Sequence, residues 1–177
     1  KIEEHIEDSQ HVLGNPVQIH LVLANLCTNA AYAMDKTGGI LEVSVRSVPA
    51  GSATADLDVP EGPCLRLTVR DTGRGMSPQT MARIFDPYFT TKGKGQGTGL
   101  GLSVIYGIVK SLGGTINCRS IPGQGTTFDI FLPRYELKEG ECGEQVEDAP
   151  ENEGKRVLDL DAELSSREAG VKKADGK

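Results

Sequence analysis

The chain lacks paired cysteines, clustered histidines, long apolar runs and any excess of basic charge. Its four cysteines, Cys27, Cys64, Cys118 and Cys142, form no Cys-x-x-Cys pair, and His5, His11 and His20 stand apart. Neither a zinc site nor a disulfide framework is expected, and a reducing, cytoplasmic setting fits best. No apolar stretch approaches the ~18 residues of a membrane span, and no signal-peptide pattern opens the sequence. The formal charge is −6, and it is uneven: residues 1–133 hold 11 Lys+Arg against 12 Asp+Glu, whereas residues 134–177 hold 8 against 13. A basic field able to hold nucleic acid or an anionic membrane is therefore absent at the scale of the domain. Hydrophobic residues make up 37% of the 177, lean enough to imply one domain plus appendages outside its core. Glycine is what the chain has in excess: 22 residues, well above the usual ~7%.

Ile2 to Ile6 reads as an edge strand. Asn15-Pro16-Val17-Gln18 joins an N-cap residue, a proline at the first helical position and a glutamine able to bond back, so a helix is predicted to start there. Ile19, Val22, Leu23, Leu26 and Ala30 keep its period to about Met34, and Thr37-Gly38-Gly39 stops it. Two alternating segments, Leu41-Val43-Val45 and Leu65-Leu67-Val69, predict half-buried strands around a Pro/Gly/Ala-rich loop at 49–63. Ser77-Pro78 opens a short helix to about Phe85. From Asp86 to Gly99 there is no period, which reads as a connecting loop. Leu100 to Leu112 is helical, closed by Gly113-Gly114, and strands follow at about 115–120 and 126–132. This order predicts an α+β fold, a two-layer α/β sandwich whose mixed, mostly antiparallel sheet is covered on one face by about three helices. Residues 1–133 form that domain. Residues 134–154 read as an acidic linker, with eight carboxylates between 136 and 153. Residues 155–177 read as one strand, Arg156-Val157-Leu158, and a stub of helix, either the start of a truncated further domain or a disordered tail.

Four clusters carry chemistry. Asn25 and Asn29 lie four apart on the long helix, so both carboxamides share a face and their oxygens could hold a hard cation together with phosphate oxygens; on spacing alone, ordinary surface polarity is the commoner explanation of such a pair. Asp71-Thr72-Gly73-Arg74-Gly75-Met76 follows a strand, where an acid can accept the exocyclic amine of adenine beside glycines that admit the ring, although a plain Asp-x-Gly turn also fits. Gly93, Gly95, Gly97, Gly99 and Gly101 run straight into a helix start at Thr98-Gly99-Leu100-Gly101-Leu102. Free N–H groups and the positive end of a helix make an anion cradle suited to a polyphosphate. It matches neither the Walker-type loop nor the dinucleotide fingerprint. Gly123-x-Gly125-Thr126-Thr127 reads as a hairpin turn whose threonines could reach the pocket of Asp71.

In this order the clusters resemble the N box and the three glycine boxes of the catalytic ATP-binding domain of sensor histidine kinases, in the superfamily shared with gyrase, the ninety-kilodalton chaperone and mismatch-repair ATPases. Phe85-Asp86-Pro87-Tyr88-Phe89-Thr90-Thr91-Lys92 resembles the F box, which points to histidine kinases within that superfamily. The resemblance covers residues 1–133 and implies a Bergerat-type ATP-binding fold with ATP and Mg2+ as cofactors. It implies that Asn25 and Asn29 hold magnesium and phosphate, that Asp71 reads the adenine amine, and that Gly73, Gly75 and Met76 line the base pocket. It further implies that Gly97, Thr98, Gly99, Leu100, Gly101 and Leu102 cradle phosphates, that Lys92 reaches the terminal phosphate with Asn25 as its catalytic companion, and that Thr126 or Thr127 completes the adenine side.

The chain departs from the family at two places. Leu21 stands where the superfamily often places an acid or amide that activates a nucleophile, with His20 beside it, and Tyr32 stands where some relatives carry a basic residue towards phosphate. No histidine sits in the His-acid-aromatic setting of a phospho-acceptor. The implied function is phosphoryl transfer from Mg-ATP to a histidine on a separate dimerisation domain, with a response regulator receiver domain downstream and a homodimeric parent. The strand at Arg156 to Leu158 resembles the first strand of a receiver. A clamp-type ATPase or a regulatory nucleotide-binding module is the alternative.

Overall fold

The computed structural model describes residues 1–6, 11–51, 59–93, 97–136 and 156–160. Its elements are β1 (Ile2–Ile6), β2 (His11–Gly14), α1 (Pro16–Met34), β3 (Leu41–Val48), β4 (Cys64–Asp71), α2 (Pro78–Met81), α3 (Gly101–Ser111), β5 (Thr115–Ile121), β6 (Gly125–Pro133) and β7 (Arg156–Asp159). Five strands form one sheet in the order β1-β3-β4-β6-β5. β1 runs parallel to β3 and the remaining neighbours are antiparallel. This is the mixed, mostly antiparallel α+β sandwich expected from the sequence.

The strand period decides the two faces. Leu65, Leu67 and Val69 of β4 and Phe128, Ile130 and Leu132 of β6 turn inward. They meet Ile19, Val22, Leu23, Leu26 and Ala30 of α1 and Ile105 and Val109 of α3 in one core. Each of the larger side chains contributes about 1.5–3 kcal/mol on burial. The α1 start rests on its cap, where Val17 N–H donates to Asn15 Oδ1 at 2.9 Å, with Pro16 needing no partner for a missing N–H. The opposite sheet face carries Arg66, Thr68 and Arg119 around Asp129, which is 0% exposed and accepts from all three.

The structure departs from the sequence reading in three places. α2 is shorter than expected, because the Ala82 and Arg83 N–H groups turn back to Pro78 and Thr80 carbonyls and the chain continues in tight turns that bury Ile84. β2, unforeseen, pairs antiparallel with β7, from His11 opposite Asp159 to Gly14 opposite Arg156. β7 is the strand read as receiver-like; here its Leu158, with Leu160 just beyond, joins Val12 in the hydrophobic core. Of the segment read as linker, Arg134 N–H donates to the Pro63 carbonyl and Tyr135 N–H to that of His11. Residues 137–155 and the stub of helix expected beyond 160 lie outside the described residues.

Candidate nucleotide-binding site

One cavity of about 610 Å³ opens between α1, the end of β4, the segment after α2 and the start of α3. At its inner end stands Asp71, the last residue of β4 and 6% exposed. Gly73 N–H donates to its Oδ1 at 2.8 Å. Burial pushes the carboxyl above its ordinary pKa, while the bonds from the Gly73 and Thr126 backbones pull it back. Register places Thr126 opposite Asp71. Ser120 ties this corner together: its Oγ donates to the Gly125 carbonyl at 2.9 Å, accepts from Met76 N–H at 2.9 Å and lies 2.9 Å from Thr126 Oγ1. Its one hydroxyl proton being spent on Gly125, Thr126 is the donor between them and keeps lone pairs for a base amine.

Gly75 explains why this turn needs glycine. Its φ is +64° and an added Cβ would strike the Ile121 carbonyl oxygen. Gly73 N–H serves Asp71, and a Cβ there would lie 2.8 Å from the Ala33 backbone. Its part is to let the turn press against α1.

The outer end holds the amides and cations. Asn25 Nδ2 donates to the Leu21 carbonyl at 2.9 Å, and its Oδ1 lies where a Cβ on Gly101 would be 2.8 Å away, so the amide oxygen faces the first turn of α3. Asn29 Oδ1 accepts from Lys92 Nζ at 2.9 Å. Lys92 Nζ also lies 4.7 Å from the Tyr32 ring centroid, and the Arg74 guanidinium carbon lies 4.6 Å from the same centroid. Gly99, at φ +70°, packs on the Tyr88 backbone, and Tyr88 itself holds φ 65° while 76% exposed. Leu100 is the N-cap residue of α3 and makes no side-chain cap bond, so the first-turn N–H groups have no capping side chain from it.

Asn25, Asn29, Asp71, Gly75, Met76, Lys92, Gly97, Thr98, Gly99, Gly101, Leu102 and Thr126 all line the cavity. Gly73, Leu100 and Thr127 are not among its lining residues. For Thr127 the reason is the period of two: with Thr126 turned towards Asp71, its neighbour points through the other face, into a groove beside Arg66, Arg70 and Arg119. Leu100 N–H is engaged locally by Thr98 Oγ1 at 3.3 Å. Sequence reasoning passed over Ser120 and Arg74, the latter hidden in a variable position between two box glycines.

The donor set suits a cation delivered with phosphate. Among the described residues no three His, Cys, Asp or Glu side chains gather as ligands. Two neutral amide oxygens would complete the shell of a Mg2+ carried by a polyphosphate, and would hold a bare ion poorly. Among the described residues no helix is long and apolar enough to cross a membrane.

The family described as histidine kinase-, DNA gyrase B-, and HSP90-like ATPase matches residues 14–136. Sensor kinase CckA of Brucella abortus (strain 2308) is 41% identical over 160 residues, 89% of this chain and 17% of that protein. Sensor histidine kinase ZraS of Klebsiella oxytoca is 37% identical over 122 residues, 69% of this chain and 23% of that protein. The chain thus spans under a quarter of either relative. Among solved structures, the catalytic domain of histidine kinase ThkA aligns with TM-score 0.56 at 26% identity, over 75% of this chain and 80% of that one. The mycobacterial sensor histidine kinase MprB shares the fold with TM-score 0.59 at 23% identity, over 77% and 84%. On the family match and these likenesses, the chain belongs to the histidine kinase-, DNA gyrase B- and HSP90-like ATPases, with sensor histidine kinase catalytic domains as its relatives.

Proposed function

We propose that residues 1–133 bind Mg-ATP in this cavity and, within a longer sensor histidine kinase, pass its γ-phosphoryl group to a histidine on a helical dimerisation domain. A response regulator receiver domain is the onward acceptor, and the parent is a homodimer working on the cytoplasmic side. The observation that carries the reading is that a buried carboxylate, an amide pair and a glycine-rich helix start, far apart in sequence, meet in one cavity.

Asp71 accepts the adenine N6 amine, and Thr126 supplies a second acceptor beside it. The α3 start offers N–H groups to phosphate oxygens, as helix N-termini do. Magnesium, held by Asn25 and Asn29, would neutralise phosphate charge. Lys92 brings a cation to the terminal phosphate, so the chain contributes position and charge, which is most of what phosphoryl transfer asks of a protein. Leu21 offers no base to a water molecule, which favours transfer over hydrolysis.

Calorimetric titration of Mg-ATP and Mg-GTP into the chain and into Asp71→Asn tests the base pocket. Binding that prefers ATP and loses that preference in the variant is the expected result, and absence of ATP binding by folded protein would remove the proposal. Adding a histidine-bearing dimerisation domain in trans should then yield an acid-labile phosphoprotein.

A further inference from the structure

Tyr32 stands on the nucleotide-facing side of α1, three residues after Asn29, and two cations converge on its ring. Lys92 Nζ is 4.7 Å from the centroid and the Arg74 guanidinium carbon 4.6 Å. All four side chains, Asn29, Tyr32, Arg74 and Lys92, line the same cavity. The Arg74 backbone is pinned on both sides, its N–H donating to the Ala33 carbonyl at 3.2 Å and its carbonyl accepting from Gly123 N–H at 2.8 Å. The guanidinium is thus anchored close to α1, whereas Lys92 belongs to the connecting segment after α2 and reaches α1 only through its side chain.

We propose that Tyr32 is a positioning residue that uses its ring face to hold Arg74 and Lys92 at the phosphate end of the cavity, making Arg74 a second cation for the nucleotide phosphates. This inference rests on the nucleotide reading above. An aromatic face attracts cations through its quadrupole without neutralising them, so both charges remain available to an anion, which a carboxylate partner would not allow. Asn29 alone is a poor anchor for Lys92. The oxygen it lends at 2.9 Å is the one a phosphate-bound magnesium would take, so ammonium and metal compete for a single site. The Tyr32 ring offers Lys92 a hold that survives this exchange and keeps the ammonium beside the polyphosphate while Asn29 turns to the metal. A tyrosine where a basic residue would otherwise face the phosphate therefore loses no charge, since it gathers charge from two other segments.

The test titrates Mg-ATP and adenosine into the full 177-residue chain and into Tyr32→Phe, Tyr32→Leu, Arg74→Met and the Tyr32→Leu/Arg74→Met pair. Tyr32→Leu is expected to weaken Mg-ATP roughly fivefold, the worth of an exposed cation–π contact, with adenosine unchanged. Tyr32→Phe should bind as the parent does, because it keeps the ring face. The double variant should lose less than the product of the single losses, because the two residues act together. Equal losses for ATP and adenosine would assign Tyr32 to packing and overturn the inference, as would unchanged ATP affinity in Tyr32→Leu or a loss in Tyr32→Phe as large as in Tyr32→Leu. If the parent binds neither ligand, the nucleotide reading itself fails and takes this inference with it.

Discussion

Asp71 carries opposite demands for stability and for recognition. Burial holds its carboxyl above the ordinary value of 3.8, so the folded chain binds that proton more tightly than the unfolded chain. The sign follows: stability falls as pH rises from the unfolded value through the raised folded one, and above that window the fold carries the cost of a buried charge. Asp71→Asn should therefore be at least as stable as the parent at pH 7, with the advantage shrinking towards pH 4, while ATP preference is lost. Urea unfolding of both proteins at the two pH values measures this, and a variant less stable at pH 7 would contradict it. Asp129 is the contrasting case. Arg66, Thr68 and Arg119 satisfy it at 2.7–2.9 Å. Asp129→Ala should cost about 1–3 kcal/mol, because it removes the buried acceptor of three bonds and leaves a hole beneath two partly exposed guanidinium groups. A loss under half a kcal/mol in the same unfolding assay would show that the arginines simply turn to water. The sequence-predicted residues that line the cavity were readable one by one, and so was the phase that turns Thr126 rather than Thr127 towards Asp71. Phe128 and Ile130 mark the inward phase of β6, and stepping back by two from Phe128 selects Thr126.

At the scale of elements, legibility followed locality. α1 announces itself through Asn15-Pro16 and an apolar stripe, and the α3 and β6 boundaries through glycine and proline, because each signal acts within a few residues of its cause. β2 has four residues, and its ladder partner is a strand beginning at Arg156, so no local pattern could reveal it. The same non-locality hides the partner of β7: a short apolar strand beside acids reads alike whichever sheet it joins. Its place on β2 predicts a local response. Leu158 is 2% exposed, and Leu158→Ala should weaken the β2–β7 pair by about 2–3 kcal/mol, a loss of roughly a hundredfold in amide protection there. β4 and β6, whose ladders do not involve β7, should keep theirs. Hydrogen exchange resolved by residue reads both, and a collapse of β4 protection together with β2 would mean that the β2–β7 pair and the main sheet open as one unit.

For the whole molecule, the site exists because the fold brings chain ends of several elements to one edge of the helix layer. Asp71 ends β4, Thr126 opens β6, α3 begins at Gly101, and α1 supplies its middle turn through Asn25 and Asn29. Among the described residues, none of these elements brings together three His, Cys, Asp or Glu side chains. Of the two amide oxygens, that of Asn29 already accepts from Lys92, and among the described residues no acidic cluster replaces them. Magnesium and nucleotide should therefore stabilise the chain only together. Millimolar Mg2+ alone should leave the thermal midpoint unmoved within about 1 °C, since no site reaches useful affinity without phosphate oxygens. Mg-ATP at a hundred times its dissociation constant should add about 2.7 kcal/mol and raise the midpoint by several degrees. ATP with the metal chelated should give a smaller rise. Scanning calorimetry of the four conditions decides the matter: a midpoint raised by Mg2+ without nucleotide would show a protein-built metal site, and would require carboxylates that the described cavity does not bring together.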